Sequence, residues 1–551
     1  MSSFAQLAQD VSLWTSSMRE LILPTTNNEH GNDGLEQQAP AAPKRRDSQI
    51  VSDVLSKAMR ANLFTRFLHP DHRKAAQLCT RFSHNLNVSY PPSQSLKPVD
   101  LQQLLQPNTN STLNLLHALQ YCMRCAFLAY PPPFVAVKSE EASLTFKSPR
   151  NVLKTCLKIS DEDILIDNIS LKLDNLVNKS HEPCFYLIVD HNSKRIVLSI
   201  RGTLSIGDVV TDLNADCQKV GAAMFGASGY VHQGMLQSAQ FVHSKVTVPL
   251  LSACTQYPDY AVWMVGHSMG AAVASLLGLL YRNHPIIHQQ NRLKVFSFAS
   301  PCVVSASLSD LANDYVISVA LGTDVVTRLS LQSVYKFNLR QDLIRSCNQE
   351  MIARCMDHAA ELQQEADEGT QNDSCPETDF LRIFKTAQSP NPEQELFPLG
   401  RVLWFVPNAV MNAQDENGDD EEEQKQMDVD ECDAEKGGKE KACHHETTAT
   451  WMSSTWDNLA TQLRMDRSAS DLWREVQYDI TRKVSAVKSE IEEKLDESKR
   501  RARYDSSNYT VVDATQCRVH VFQELVFDFP ESLDCHEPQR YLWCCNAKLR
   551  M

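Results

Sequence analysis

The residues best suited to chemistry form one pentapeptide, Gly266-His267-Ser268-Met269-Gly270, which follows the apolar run 261–265 and precedes the small residues Ala271 and Ala272. A serine between two glycines at a strand-to-helix junction is what a sharp turn needs to lift a hydroxyl above the strand ends. The reason is steric. Such a turn forces Ser268 into strained backbone angles, and a side chain at 266 or 270 would collide with neighbouring elements. The chemistry this permits is nucleophilic attack by the Ser268 hydroxyl on an acyl carbonyl, with the Met269 amide at a helix start facing the developing oxyanion. A second oxyanion donor is expected from the Thr203 amide, because Leu198-Ser199-Ile200-Arg201-Gly202-Thr203 runs an apolar strand into a glycine and a small hydroxyl residue.

Groups of this kind need a rigid sheet beneath them. Residues 184–189 and 195–200 are two apolar runs joined by His191-Asn192-Ser193-Lys194, the pattern of a hairpin. Further strand-like runs lie at 261–265, 293–298, 315–321 and 401–406, with a last one at 518–522, and helical spacing fills 233–256 and 270–283. Buried apolar strands alternating with helices predict an α/β fold, a mostly parallel sheet with helices on both faces. Upstream, the apolar spacing is helical over 49–86, with Val54, Leu55, Met59, Leu63 and Phe67 on one side, and again over 112–130, where a triple proline ends it. Downstream, 342–365 reads as helix and 369–392 as loop. Residues 413–449 are acidic and poor in apolar side chains, as in a disordered segment, and 456–503 reads as helix near heptad spacing.

The chain has 551 residues, room at ~150 per domain for one large domain with insertions or for two to four smaller ones. A 42% hydrophobic and 22% charged composition excludes a fibrous or wholly disordered chain. The net charge of −14 speaks against a nucleic-acid partner, and it is local, since residues 415–436 hold twelve acids and two lysines. No run of 18 apolar residues is long enough to span a bilayer, and residues 1–23 lack the pattern of a secretory signal. Seventeen cysteines, an odd count without metal or disulfide spacing, point to reduced thiols in the cytoplasm.

Four motifs occur in a fixed order: Ile200-Arg201-Gly202-Thr203, Val231-His232-Gln233-Gly234-Met235, the pentapeptide at 266–270, and Leu321-Gly322-Thr323-Asp324-Val325-Val326-Thr327-Arg328-Leu329. Together they resemble the class 3, fungal-lipase-like branch of the α/β-hydrolases, and within it the sn-1-specific diacylglycerol lipases, over roughly residues 112–329 with pieces near 396–406 and 533–542. The resemblance implies that Asp324 is the acid of a triad. That position follows the strand 315–321, where an acid could reach a histidine above the sheet edge. The family usually has proline where this chain has Thr327, a departure that bears on the rigidity of the loop. The base must follow Asp324, and His358, His444, His445, His520 and His536 are available. His536 stands in Leu533-Asp534-Cys535-His536-Glu537-Pro538, which resembles the family's L-D-x-H-x-P-x-x-Y stretch, so it is the expected base, with His520 as the fallback. His267 and His232 are read as structural, and Cys443-His444-His445 lacks the second pair a metal site needs. No metal or organic cofactor is required by this chemistry.

The resemblance further implies a lid directly after the oxyanion loop, over 204–213, and a regulatory role for 413–503, which could respond to a kinase near Ser468, Ser470, Ser506 or Ser507. Lys44-Arg45-Arg46 and the group Lys499, Arg500, Arg501 and Arg503 could touch anionic lipid. Without the membrane-spanning region that many family members carry, the chain is expected to meet its lipid as a soluble or peripheral enzyme. The expected organisation is an N-terminal extension (1–110), a core with the oxyanion loop, nucleophile and acid (111–341), an insertion (342–395), a core strand (396–412), an acidic and helical insertion (413–509) and a C-terminal segment with the base (510–551). The expected activity is hydrolysis of a glycerolipid acyl ester, diacylglycerol first, at a membrane or lipid-droplet surface. Two alternatives stay open: a non-catalytic lipid-binding scaffold on the same fold, and a serine hydrolase of soluble esters or thioesters. Oligomeric state is not readable.

Overall fold

The computed structural model describes residues 73–85, 96–102, 114–139, 142–144, 147–169, 182–203, 217–287, 292–357, 376–388, 391–408, 501–522, 525–526 and 531–545. The expected lid, the helical spacing over 49–72, the stretch 413–500, His358, His444, His445, Ser468, Ser470, Lys499, Arg500 and the basic group at 44–46 lie outside the described residues.

In chain order the strands are β1 (Lys97–Pro98), β2 (Ile164–Asp167), β3 (Phe185–Asp190), β4 (Arg195–Ile200), β5 (Cys217–Val220), β6 (Gly229–His232), β7 (Ala261–His267), β8 (Leu293–Phe298), β9 (Val316–Leu321), β10 (Arg401–Pro407) and β11 (Tyr509–Asp513). The helices that bear on the site are α1 (Arg73–Asn85), α2 (Leu115–Leu128), α3 (Gln233–Gln256), α4 (Met269–Tyr281), α5 (Leu331–Ser346), α6 (Pro376–Thr386), α7 (Arg518–Phe522) and α8 (Pro538–Cys544), and others include Pro132–Ser139 and Pro149–Leu157. Nine strands form one sheet in the order β1-β11-β10-β9-β8-β7-β4-β3-β2, and β5 pairs with β6 apart from it. The five central strands, β10, β9, β8, β7 and β4, run parallel. Antiparallel pairs flank them on both sides, including the β3–β4 hairpin read from 184–200.

Every residue of β3, β4 and β9 is buried, because helices cover both faces of the sheet. On one face Leu198, Met264 and Val295 pack with Leu236 and Val242 of α3 and with Val273 and Leu277 of α4. On the other, Val197, Trp263, Val265 and Phe298 pack with Leu119 and Met123 of α2 and with Tyr541 and Leu542 of α8. Local chemistry sets the helix starts. The Asn114 side chain accepts from the His117 amide at 2.9 Å, and Ser330 and Ser333 form a reciprocal capping box on α5.

Two segments differ from the sequence expectation. Residues 518–522, read as a strand containing His520, form α7, and the strand that pairs with β10 is β11, just upstream. Among the described side chains there, Arg518, Val521 and Phe522 are buried, a spacing of three and four that suits a helix. The Arg518 guanidinium donates to Thr515 O at 2.9 Å and to Asp310 Oδ1 at 2.9 Å, which anchors the start of α7. The second difference is 369–392, read as loop, which contains α6. Acids occupy its first turn and a lysine its last, and Phe380, Leu381 and Phe384 are buried along one side. Phe380 and Phe384 hold Phe82 of α1 between them, with ring centroids 5.3 and 5.5 Å away. The helix read over 342–365 begins earlier, as α5, and a second helical stretch runs over 349–357.

Phe384 is fully buried in this aromatic group. Truncation by Phe384→Ala is expected to lower the unfolding free energy by ~3–5 kcal/mol in urea denaturation. A loss under 1 kcal/mol would show that α6 is not packed on α1.

Candidate active site

The turn between β7 and α4 holds Ser268 at φ 59, ψ −130, a conformation that L-residues rarely adopt and that costs ~1–3 kcal/mol unless the surroundings enforce it. They do. The Ser268 amide donates to Phe298 O, at the end of β8, at 2.9 Å. A Cβ on Gly266 would lie 2.3 Å from the Gly270 carbonyl, and one on Gly270 would lie 2.2 Å from Ile200 O. Both positions therefore admit only glycine, as the pentapeptide requires. The loop after β4 approaches as closely, since a Cβ on Gly202 would meet His267 O at 2.4 Å and Ser268 Cβ at 3.0 Å. Thr203 follows directly and is half-buried, and Met269 is the first residue of α4. Met269 thus adjoins Ser268 in the chain, and Gly202, which precedes Thr203, adjoins it in space.

Asp324 and His536, 212 residues apart, meet beside this turn. His536 Nε2 lies 3.0 Å from Ser268 Oγ, while its Nδ1 lies 3.1 and 3.2 Å from the two Asp324 carboxylate oxygens. A carboxylate only accepts, so Nδ1 carries the proton toward Asp324 and Nε2 is left to accept from the serine hydroxyl. Asp324 is completely buried, and two further donors converge on it: the Val326 amide at 2.9 Å and the Tyr541 hydroxyl at 2.7 Å. Burial, and then the Asp324 charge, push the Tyr541 phenol well above its usual range, which keeps it a donor. Tyr541 also accepts from the Leu321 amide at 3.1 Å, so α8 is tied to the end of β9. Where the family pattern has proline, Thr327 closes the acid turn by donating from Oγ1 to Asp324 O at 2.8 Å.

His267 is buried beside Ser268. Its Nε2 donates to the carbonyl of His536 at 3.0 Å, and its Nδ1 accepts from the Tyr130 hydroxyl at 3.0 Å. Burial foremost, with the nearby His536 ring, holds the His267 pKa well below 6.5, so the ring is neutral and keeps this arrangement. The structural role expected for His267 is thereby specific: it anchors the backbone of His536. His232 is buried and accepts the Met235 amide at 3.2 Å, capping α3, away from any base role. His520 lies on α7. Sequence reasoning missed Tyr130 and the function of Tyr541, although the P-x-x-Y spacing after His536 carried a signal for the latter.

A parallel sheet with antiparallel edges, a strained serine at the tip of a central strand, and an acid and a histidine following it in chain order define an α/β-hydrolase. Residues 197–334 match the family model of lipase (class 3). The chain is 31% identical over 176 residues to diacylglycerol lipase-beta of Mus musculus, covering 31% of this chain and 25% of that protein. It is 32% identical over 165 residues to diacylglycerol lipase-alpha of Homo sapiens, covering 28% of this chain and 15% of that protein. The chain therefore spans a quarter or less of the length of these relatives. Among solved structures, the Lip2 lipase from Yarrowia lipolytica aligns at 27% sequence identity over 26% of this chain and 55% of that chain, with a TM-score of 0.24.

The buried His267 makes stability depend on pH. Because its folded pKa lies below 6.5, the unfolded chain binds a proton first, so the contribution is complete above pH 6.5 and is lost as pH falls through the window beneath it. The thermal midpoint is expected to drop between about pH 7 and pH 5, and His267→Gln is expected to flatten that part of the profile. Identical acid slopes in the two proteins would contradict the assignment.

Proposed function

We propose that the protein is a serine-dependent lipase that hydrolyses acyl esters of glycerolipids, diacylglycerol first and at its sn-1 position, through an acyl-enzyme. The observation that carries this is the continuous hydrogen-bond chain from Ser268 through His536 to Asp324, built on a serine with positive φ. The likeness to diacylglycerol lipases supports the choice of substrate. In this mechanism His536 Nε2 takes the hydroxyl proton as Ser268 Oγ attacks the ester carbonyl, while Asp324 orients the ring and stabilises the imidazolium. The amides of Thr203 and Met269 hold the tetrahedral oxyanion. The imidazolium returns the proton to the departing alcohol, and water, activated by the same histidine, then releases the fatty acid. Residues 111–341, 396–412 and 510–551 supply this machinery in our division of the chain, with insertions between them.

Among the described residues no helix is long and apolar enough to cross a membrane, and their cysteines are free thiols. We propose a cytoplasmic enzyme that acts peripherally on a membrane or lipid-droplet surface.

Purified full-length protein is expected to release fatty acid from dispersed diacylglycerol. Ser268→Ala is expected to lower kcat by at least ~10⁴-fold, and Asp324→Asn by ~10³–10⁴-fold because the ring loses its orienting acceptor. Undiminished release by Ser268→Ala would refute the nucleophile. Turnover of a soluble short-chain ester that exceeds that of any dispersed lipid would replace the lipase with a soluble-ester hydrolase.

A further inference from the structure

The R-G-T segment contains a charge that the acyl-transfer mechanism does not use. Arg201 follows β4 and precedes Gly202, and its backbone rests on the first turn of α4, where a Cβ on Gly270 would come within 2.6 Å of its carbonyl carbon. Its amide donates to Cys184 O at 2.9 Å, so the backbone is pinned. The side chain is not: Nε and Nη1 are buried, and neither meets an acceptor. Three other buried arginines have their charge answered, whereas Arg124 Nε likewise meets no acceptor. Arg540 donates to Asp534 at 2.9 Å, Arg518 to Asp310 at 2.9 Å, and Arg195 lies 4.0 Å above the Trp263 ring.

A guanidinium stays charged at any physiological pH, and enclosing it without an acceptor is unfavourable, so such a site favours a ligand that brings one. Its position locates that ligand. Arg201 is within electrostatic reach of the Tyr130 hydroxyl, the group that supports His267 beside the nucleophile. Glu537 acts on the same hydroxyl, yet neither buried nitrogen of Arg201 bonds to it. The first turn of α4, against which the Arg201 backbone rests, contains no acid, so the helix N-terminus adds positive potential there. Diacylglycerol itself is uncharged and would leave Arg201 unanswered.

We infer that Arg201 binds a lipid-borne oxyanion beside Ser268, either a phosphate monoester on the glycerol of the substrate or the carboxylate of the released fatty acid. Arginine pairs with both through parallel N–H donors, and charge-assisted bonds of this kind are the strong ones. The inference rests on the lipase reading and deepens it, since it extends the substrate class to anionic glycerolipids or makes fatty acid a product inhibitor.

The test uses the full chain, with phosphatidic acid and diacylglycerol of identical acyl composition as substrates and oleate as inhibitor. A phosphate site predicts that Arg201→Met lowers the kcat/KM ratio of phosphatidic acid to diacylglycerol about tenfold, with partial recovery in Arg201→Lys. A carboxylate site predicts an unchanged ratio and an oleate inhibition constant raised about tenfold. Either result supports the assignment and names the source. An equal loss on both substrates with unmoved oleate inhibition marks a structural arginine and overturns it, as does no change in either quantity. If the wild-type chain shows no Ser268-dependent hydrolysis, the lipase reading fails by itself. Arg201 is then decided by thermal shift, with oleate or phosphatidic acid raising the midpoint of the wild type but not of Arg201→Met.

Discussion

The structure depends on backbone-to-backbone contact at the tip of β7. Three positions, Gly202, Gly266 and Gly270, lie so close to neighbouring carbonyls that a Cβ at any of them would fall within 2.4 Å of one. That closeness brings the end of β4, the turn and the start of α4 into a single packed unit. It also holds Ser268 at positive φ with its amide bonded to β8. Strain at one residue is sustained because the surrounding backbone leaves no alternative course. The parallel sheet is the frame for this contact: β4 and β8 must be the two neighbours of β7, in register, for their ends to meet at Ser268.

The remaining two members of the site reach this turn from further along the chain, and they need holding as well as delivery. Asp324 is fixed by its own turn, through the Val326 amide and the Thr327 hydroxyl, and by Tyr541 from α8. His536 is fixed through its backbone by His267 and through its ring by Asp324. Residues adjacent in sequence thus act on the same histidine. His267 holds the base while Ser268 meets it. Tyr504 and Arg503, where the chain re-enters the described core, reinforce the same loop, with the Tyr504 hydroxyl 3.4 Å from Cys535 Sγ and Arg503 paired with Glu531 at 2.9 Å. Burial pushes the Cys535 thiol up to about 12, so this contact is to a neutral, unreactive sulfur.

Much of this was legible in the sequence because its causes are local. Strands buried on both faces must be apolar throughout, and β4, β7, β8, β9 and β10 were readable as such runs. The elbow was readable because its glycines answer a steric demand within five residues. Short segments were less so: Arg518–Phe522 satisfies a two-residue and a three-to-four-residue period at once, and contacts to Asp310 and Thr515 anchor the start of the helix. In α6 the signals were present, acids first, lysine last and aromatics four apart, but they lie in a stretch whose polar neighbours read as loop. What no local pattern carries is the pairing of His267 with a carbonyl 269 residues away, or of Tyr541 with an acid 217 residues before it. Those contacts exist only once the sheet has brought the strand ends together.

The central claim is that the Ser268 hydroxyl, activated by His536, becomes acylated during turnover. The most direct measurement is reaction of the active full-length protein with a fluorophosphonate, followed by peptide mass spectrometry and assay of residual lipolysis. The account predicts one phosphonyl group per chain, located on Ser268, with hydrolysis lost in step with labelling. Stoichiometric labelling at another residue, or full lipolysis with Ser268 completely modified, would contradict it.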